Sequence, residues 1–191
     1  MERKYAWHNY DDTTMEKVYA LSDTYRQFLD NGKTERECVV QAVEFAEAKG
    51  YVNLKDIIKS NTPIKAGDKI YYTHMDKSIA LFNIGTDDIE LGMNILGAHI
   101  DSPRIDVKQN PQYEDSNLVF WDTHYYGGIK KYHWVAMPLA IHGVVVKTDG
   151  TRININIGDK ENDPVFCITD LLPHLGQEQM QKNAAKVIEG E

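Results

Sequence analysis

The chain has 191 residues, 42% apolar and 26% charged, a balance that favours a folded globular chain over disorder. Its 29 acidic against 21 basic residues give a net charge of −8, which argues against nucleic acid or an anionic membrane as the main partner. Two cysteines, Cys38 and Cys167, exclude a disulfide framework, and no apolar run has the length of a membrane span or the form of a signal peptide; the expectation is a soluble, reduced, cytoplasmic protein.

The first fifty residues read as helical. Over residues 14–29, Met15, Val18, Tyr19, Leu21 and Tyr25 fall three and four apart, and Asn31-Gly32 supplies a stop. Thr34 with Glu37 predicts a capping box for a second helix, whose apolar stripe is Cys38, Ala42, Phe45 and Ala46 and whose end is Lys49-Gly50. Each helix is expected to lay one face on a sheet. A short helix at residues 54–58 precedes Pro63, and residues 69–74 and 79–84 read as strands joined by Met75-Asp76-Lys77-Ser78. Asn94-Ile95-Leu96-Gly97-Ala98-His99-Ile100 is nearly all apolar, which predicts a strand buried on both faces in a helix-covered mixed or parallel sheet. It ends at Asp101-Ser102-Pro103, because Pro103 has no N–H for a continuing ladder.

Past Val107 the composition changes. Residues 118–124, 129–134, 139–147, 151–157 and 165–169 are short β-type runs, separated by Gly127-Gly128, Asp149-Gly150 and Gly158-Asp159. Asp149-Gly150 marks the centre of a hairpin. A polar, helix-prone tail occupies residues 176–191. The expected organisation is an α/β part over residues 1–107 and a β-rich part over residues 108–191.

The sharpest chemical feature is His99-Ile100-Asp101. Residues two apart on a strand share a face, so His99 and Asp101 project together beyond the carboxyl end of the run, where open α/β sheets bind ligands. A neutral imidazole is a good zinc ligand, and a neighbouring carboxylate orients it and raises its basicity. On the tripeptide alone, a surface histidine beside a turn-forming aspartate is the more frequent case. His124, His133 and His142 recur every nine residues and alternate faces, so they form no compact ligand set. His8 and His74 have no partner in sequence, and His174 follows Leu171-Leu172-Pro173 in a short apolar segment. Gly127-Gly128 reads as a tight turn or bulge, Lys130-Lys131 as a solvated edge, and the acidic clusters as solvated turns. No P-loop, dinucleotide fingerprint or Gly-x-Ser-x-Gly elbow occurs.

Leu96-Gly97-Ala98-His99-Ile100-Asp101-Ser102-Pro103-Arg104-Ile105-Asp106-Val107-Lys108 resembles the aspartyl aminopeptidase family of zinc metallopeptidases, with its His-x-Asp-Ser-Pro element and alternating apolar run ending in Lys. Tyr126-Gly127-Gly128-Ile129, Pro164-Val165-Phe166-Cys167-Ile168 and His174-Leu175 follow in the family's order, and the N-terminal helices fit its opening. The resemblance implies a zinc-peptidase α/β fold with a β-rich dimerisation domain, a homo-oligomer, peptide substrates and two zinc ions that together hydrolyse off the N-terminal residue. It implies that His99 is a metal ligand, that Asp101 supports it, and that His174 reaches a neighbouring subunit's active site. Tyr132-His133-Trp134-Val135-Ala136-Met137 departs from the family's Asp-Arg-Asp pattern, so aspartyl specificity is not carried over. Family chains are more than twice as long, and their bridging aspartate, further ligands and water-activating glutamate lie downstream. The expectation is therefore the N-terminal part of such an enzyme, inactive alone. The alternative is a non-catalytic assembly module that keeps the β-rich domain.

Overall fold

Asp11 opens the first long helix, α1 (Asp12–Asn31). Its carboxylate accepts the Thr14 amide at 2.8 Å, and the hydrogen bonds from Thr14 hold the Asp11 carboxyl below its usual range. Thr34 and Glu37 cap α2 (Glu35–Ala48) reciprocally: the Glu37 amide donates to Thr34 Oγ1, and Glu37 Oε2 accepts the Thr34 amide at 2.9 Å. The computed structural model describes residues 4–188, and the chain divides between Asp101 and Ser102 into two compact units.

In the first unit, β1 (Val52–Asn53) runs parallel to β2 (Lys69–His74), which pairs antiparallel with β3 (Ser78–Asn83), giving the order β1-β2-β3. A short helix, α3 (Leu54–Ser60), links β1 to β2 through a left-handed Asn61. Met75 and Asp76, both at positive φ, turn β2 into β3, and Arg36 of α2 holds that turn by donating to the Met75 carbonyl at 2.9 Å. The core is the contact of α2 with β2 and β3: Cys38, Val39, Ala46, Ile70 and Tyr71 are buried. Burial, then the carboxylates of Glu37 and Glu35, push the Cys38 thiol up. Tyr71 donates its hydroxyl to Glu47 Oε1 at 2.7 Å, and that bond raises its ionisation above the usual range.

The expectation that both helices lie on the sheet holds for α2 only. The packing partner of α1 is α2, through the stacked Phe28 and Phe45 rings and a bond from Gln41 to the Phe28 carbonyl, and α1 buries no residue. The expected buried strand at residues 94–100 is absent. The segment is irregular and exposed, with Leu96 at 101% and Ile95 at 79% exposure. A strand needs a neighbour for its N–H and C=O groups, and no described residue pairs with this run.

In the second unit, β4 (Arg104–Asp115) and β5 (Leu118–Tyr126) form a long hairpin closed by Ser116 and Asn117, both at positive φ. Its register shifts between Val107 and Gln112, where Pro111 can donate no ladder bond. A second hairpin joins β6 (Ile141–Val146) to β7 (Arg152–Ile157) around the expected Asp149-Gly150 turn, with Gly150 at φ +84°. Two other expected strands are not formed. Residues 129–134 become a 3-10 turn, Lys131–His133, because Tyr132, His133 and Trp134 are successive aromatics with no two-residue alternation. Residues 165–169 keep only two bridges, Leu139 to Phe166 and Val135 to Ile168, since Pro138 and the left-handed Ala136 interrupt the facing segment. The tail holds a 3-10 turn, Gln179–Gln181, instead of a helix, and residues 189–191 of that expectation lie outside the described residues. Among the described residues, no apolar side chain of this unit is buried.

Candidate metal centre

A neutral imidazole binds metal through one nitrogen, and what the other nitrogen touches decides which. His99 Nδ1 lies 3.1 Å from Asp101 Oδ1 and 3.1 Å from the Asp101 carbonyl oxygen. A carbonyl and an ionised carboxylate only accept, so the proton sits on Nδ1 and the Nε2 lone pair is left for a metal. His99 is 84% exposed at its side chain while Asp101 is partly covered. The pairing the tripeptide implied is present although the strand is not.

The set is not complete. Among the described residues, no group of three or more His, Cys, Asp or Glu side chains is placed to hold a metal ion. A catalytic zinc takes about three protein ligands and keeps one position open. His99 supplies one. The described residues of this chain by themselves do not fit a zinc ion.

In the second unit, His174 is exposed in a tight turn where Leu175 and Gly176 both donate to the Leu172 carbonyl. Asp170 brackets this loop by accepting from Gln179 Nε2 at 2.9 Å and the Leu171 amide at 2.8 Å, and these bonds hold its carboxyl below the usual range. Leu171, Leu172 and Leu175 flank His174 and are exposed as well. At the start of β4, Arg104 donates Nε to Asp106 at 2.7 Å and lays its guanidinium over the Tyr126 ring at 4.0 Å. Gly127, at φ +72°, lies against Pro103, and Lys131 stands over Tyr125. Gly127-Gly128 and Lys130-Lys131 thus finish and flank a hairpin.

Sequence reasoning missed one histidine pairing. His142 Nε2 lies 3.2 Å from an Asp159 carboxylate oxygen, tying β6 to the loop after β7. The 17-residue separation shows no motif, and only the pairing of His142 opposite Asn156 brings the two together.

Three comparisons bear on this geometry. The family model described as "Aminopeptidase I zinc metalloprotease (M18)" matches residues 28–189. A "Probable M18 family aminopeptidase 1" of Clostridium acetobutylicum is 53% identical over 190 residues, covering 100% of this chain and 41% of that protein. A protein of the same description from Thermotoga maritima is 47% identical over 182 residues, covering 93% of this chain and 38% of its own length. Among solved structures, aminopeptidase I of Clostridium acetobutylicum superposes with a TM-score of 0.83 at 53% identity over 100% of this chain and 42% of its own. The M18-family aminopeptidase of Thermotoga maritima gives 0.85 at 44% identity, covering 97% of this chain and 39% of that one. The chain spans about two fifths of the length of the relatives it matches.

Proposed function

The chain belongs to the aminopeptidase I zinc metalloprotease (M18) family, and from that premise we propose that it is the N-terminal part of an enzyme removing N-terminal residues from peptides. In this reading His99 is a zinc ligand through Nε2 and Asp101 positions it. The other ligands and the group that activates water lie in the remaining three fifths of such a chain. In the complete enzyme a pair of zinc ions, one of them held in part by His99, would supply Lewis-acid activation of water and of the scissile carbonyl. Residues 1–107 belong to the catalytic domain and residues 108–191 to a domain that joins subunits into a homo-oligomer, with His174 serving a neighbour's site. Cys38 and Cys167 are both free thiols, which is consistent with a cytoplasmic location, and no described helix is long and apolar enough to cross a membrane.

The observation that carries the proposal is the His99 to Asp101 geometry inside a chain of this family. The test is a chimera in which this chain replaces the matching N-terminal part of the Clostridium acetobutylicum relative. The expected result is zinc-dependent release of N-terminal residues from acidic and neutral chromogenic substrates, abolished by His99→Ala. Full activity in the His99→Ala chimera would exclude His99 as a ligand. The assembly-module alternative draws on the incomplete ligand set, and a folded, oligomeric, zinc-free and inactive chimera would favour it.

A further inference from the structure

The segment from Asp170 to Gln179 carries His174 near its middle and belongs to neither hairpin of the second unit. Its backbone is folded by its own groups. Pro173 and His174 are the central residues of a turn in which the Leu175 amide donates to the Leu172 carbonyl at 2.9 Å, and the proline ring presets the first of the two. The Gly176 amide donates to the same carbonyl at 2.9 Å, and the Met180 amide donates to the Gly176 carbonyl at 2.9 Å. None of these bonds joins the two ends of the segment.

Asp170 does. Its Oδ1 accepts the Leu171 amide at 2.8 Å and, from the far end, Gln179 Nε2 at 2.9 Å. Both bonds fall on one carboxylate oxygen, and bonds to an ionised acceptor are roughly twice as strong as neutral ones. The bond from Gln179 first, then that from Leu171, holds the Asp170 carboxyl low, so the acceptor stays charged in mild acid. Gly176 leaves room for the arrangement. It is buried, and a Cβ there would sit 3.0 Å from Gln179 Oε1, displacing the amide that reaches Asp170. Among the described residues, no side chain bonds to the His174 imidazole, so the backbone that carries it sets its direction.

We propose that Asp170 and Gln179 are positioning residues for the peptidase reaction: by closing this loop they fix where His174 is presented to a neighbouring subunit's site. The proposal rests on the reading of His174 given above. A reacting group misplaced by about 1 Å can lose on the order of 100-fold in rate, and surface loops without a brace are the more mobile parts of a fold.

In this chain, Asp170→Ala is expected to quicken amide exchange over residues 170–179 by roughly 10-fold, measured by NMR, and to leave β6 and β7 unchanged. Unchanged exchange over the loop would overturn the proposal whatever the kinetics show. In the chimera with the Clostridium acetobutylicum relative, Asp170→Ala should lower kcat by about 10- to 100-fold at unchanged zinc content. Gln179→Ala should do the same from the other end. Asp170→Asn keeps an acceptor oxygen in place and should restore most of the rate. In a His174→Ala background neither alanine variant should slow the enzyme further, because no imidazole is left to misplace. Unaltered turnover in Asp170→Ala, an Asp170→Asn variant as slow as Asp170→Ala, or the same fractional loss with and without His174 would each overturn the proposal and leave the reading of His174 standing. Full turnover in His174→Ala would refute that reading, and the proposal with it.

Discussion

Asp101 offers His99 two oxygens, one from its side chain and one from its own backbone. Removing the carboxylate charge keeps the backbone contact and weakens only the side-chain contact that orients the ring. Asp101→Asn in the chimera should therefore reduce zinc affinity by about 10- to 100-fold without unfolding it, measured by chelator competition. Tyr71 gives a second test. Its hydroxyl donates to Glu47, so ionisation would place two anions together, and its folded-state pKa is raised. The stabilisation is fully present below the ordinary tyrosine value near 10 and is lost as pH rises through the higher folded value. Thermal midpoints followed upward from about pH 9 should fall, and Tyr71→Phe should flatten that fall. The His99 and Asp101 pairing was legible in sequence because the two residues are neighbours in one tripeptide. The His142 to Asp159 pairing was not, because it depends on the register of two strands.

Among the elements, Gly158 is the position where a side chain is least tolerated. It ends β7 at φ +110°, and a Cβ there would sit 2.9 Å from Ala140 Cα and 3.2 Å from the Leu139 carbonyl. Its amide also donates to Asp163, whose carboxyl that bond holds low. Gly158→Ala should destabilise the second unit by about 1–3 kcal/mol, read from urea unfolding followed by the fluorescence of Trp121 and Trp134. Local signals predicted what local chemistry decides. The Thr34 to Glu37 capping box and the Asp149-Gly150 turn are both present at the expected residues. The Ser116-Asn117 turn went unread because it lacks glycine, and its two left-handed residues are imposed by the ladder closing from Asp115 to Leu118. Residues 94–100 failed for the opposite reason. Their apolar composition reports the covering they are suited to, and no described residue provides it.

At the scale of the whole molecule, the five buried apolar side chains among the described residues, all in the first unit, are a small core for a chain of this length. The purified chain should accordingly self-associate with rising concentration, seen by light scattering. It should bind zinc well below one ion per chain and release no N-terminal residue from chromogenic substrates, since His99 is its only motif ligand. Stoichiometric zinc with turnover that His99→Ala destroys would refute this. The arrangement of the ladders carries a consequence in time. β2 with β3, β4 with β5, and β6 with β7 are each consecutive in the chain and joined by short turns. Closing such loops takes microseconds, whereas synthesis proceeds at about 5–20 residues per second. Each hairpin can therefore equilibrate as it leaves the ribosome, independently of the segments that follow it. Residues 94–100 have no such local partner among the described residues, so rapid hairpin closure leaves Ile95 and Leu96 facing solvent.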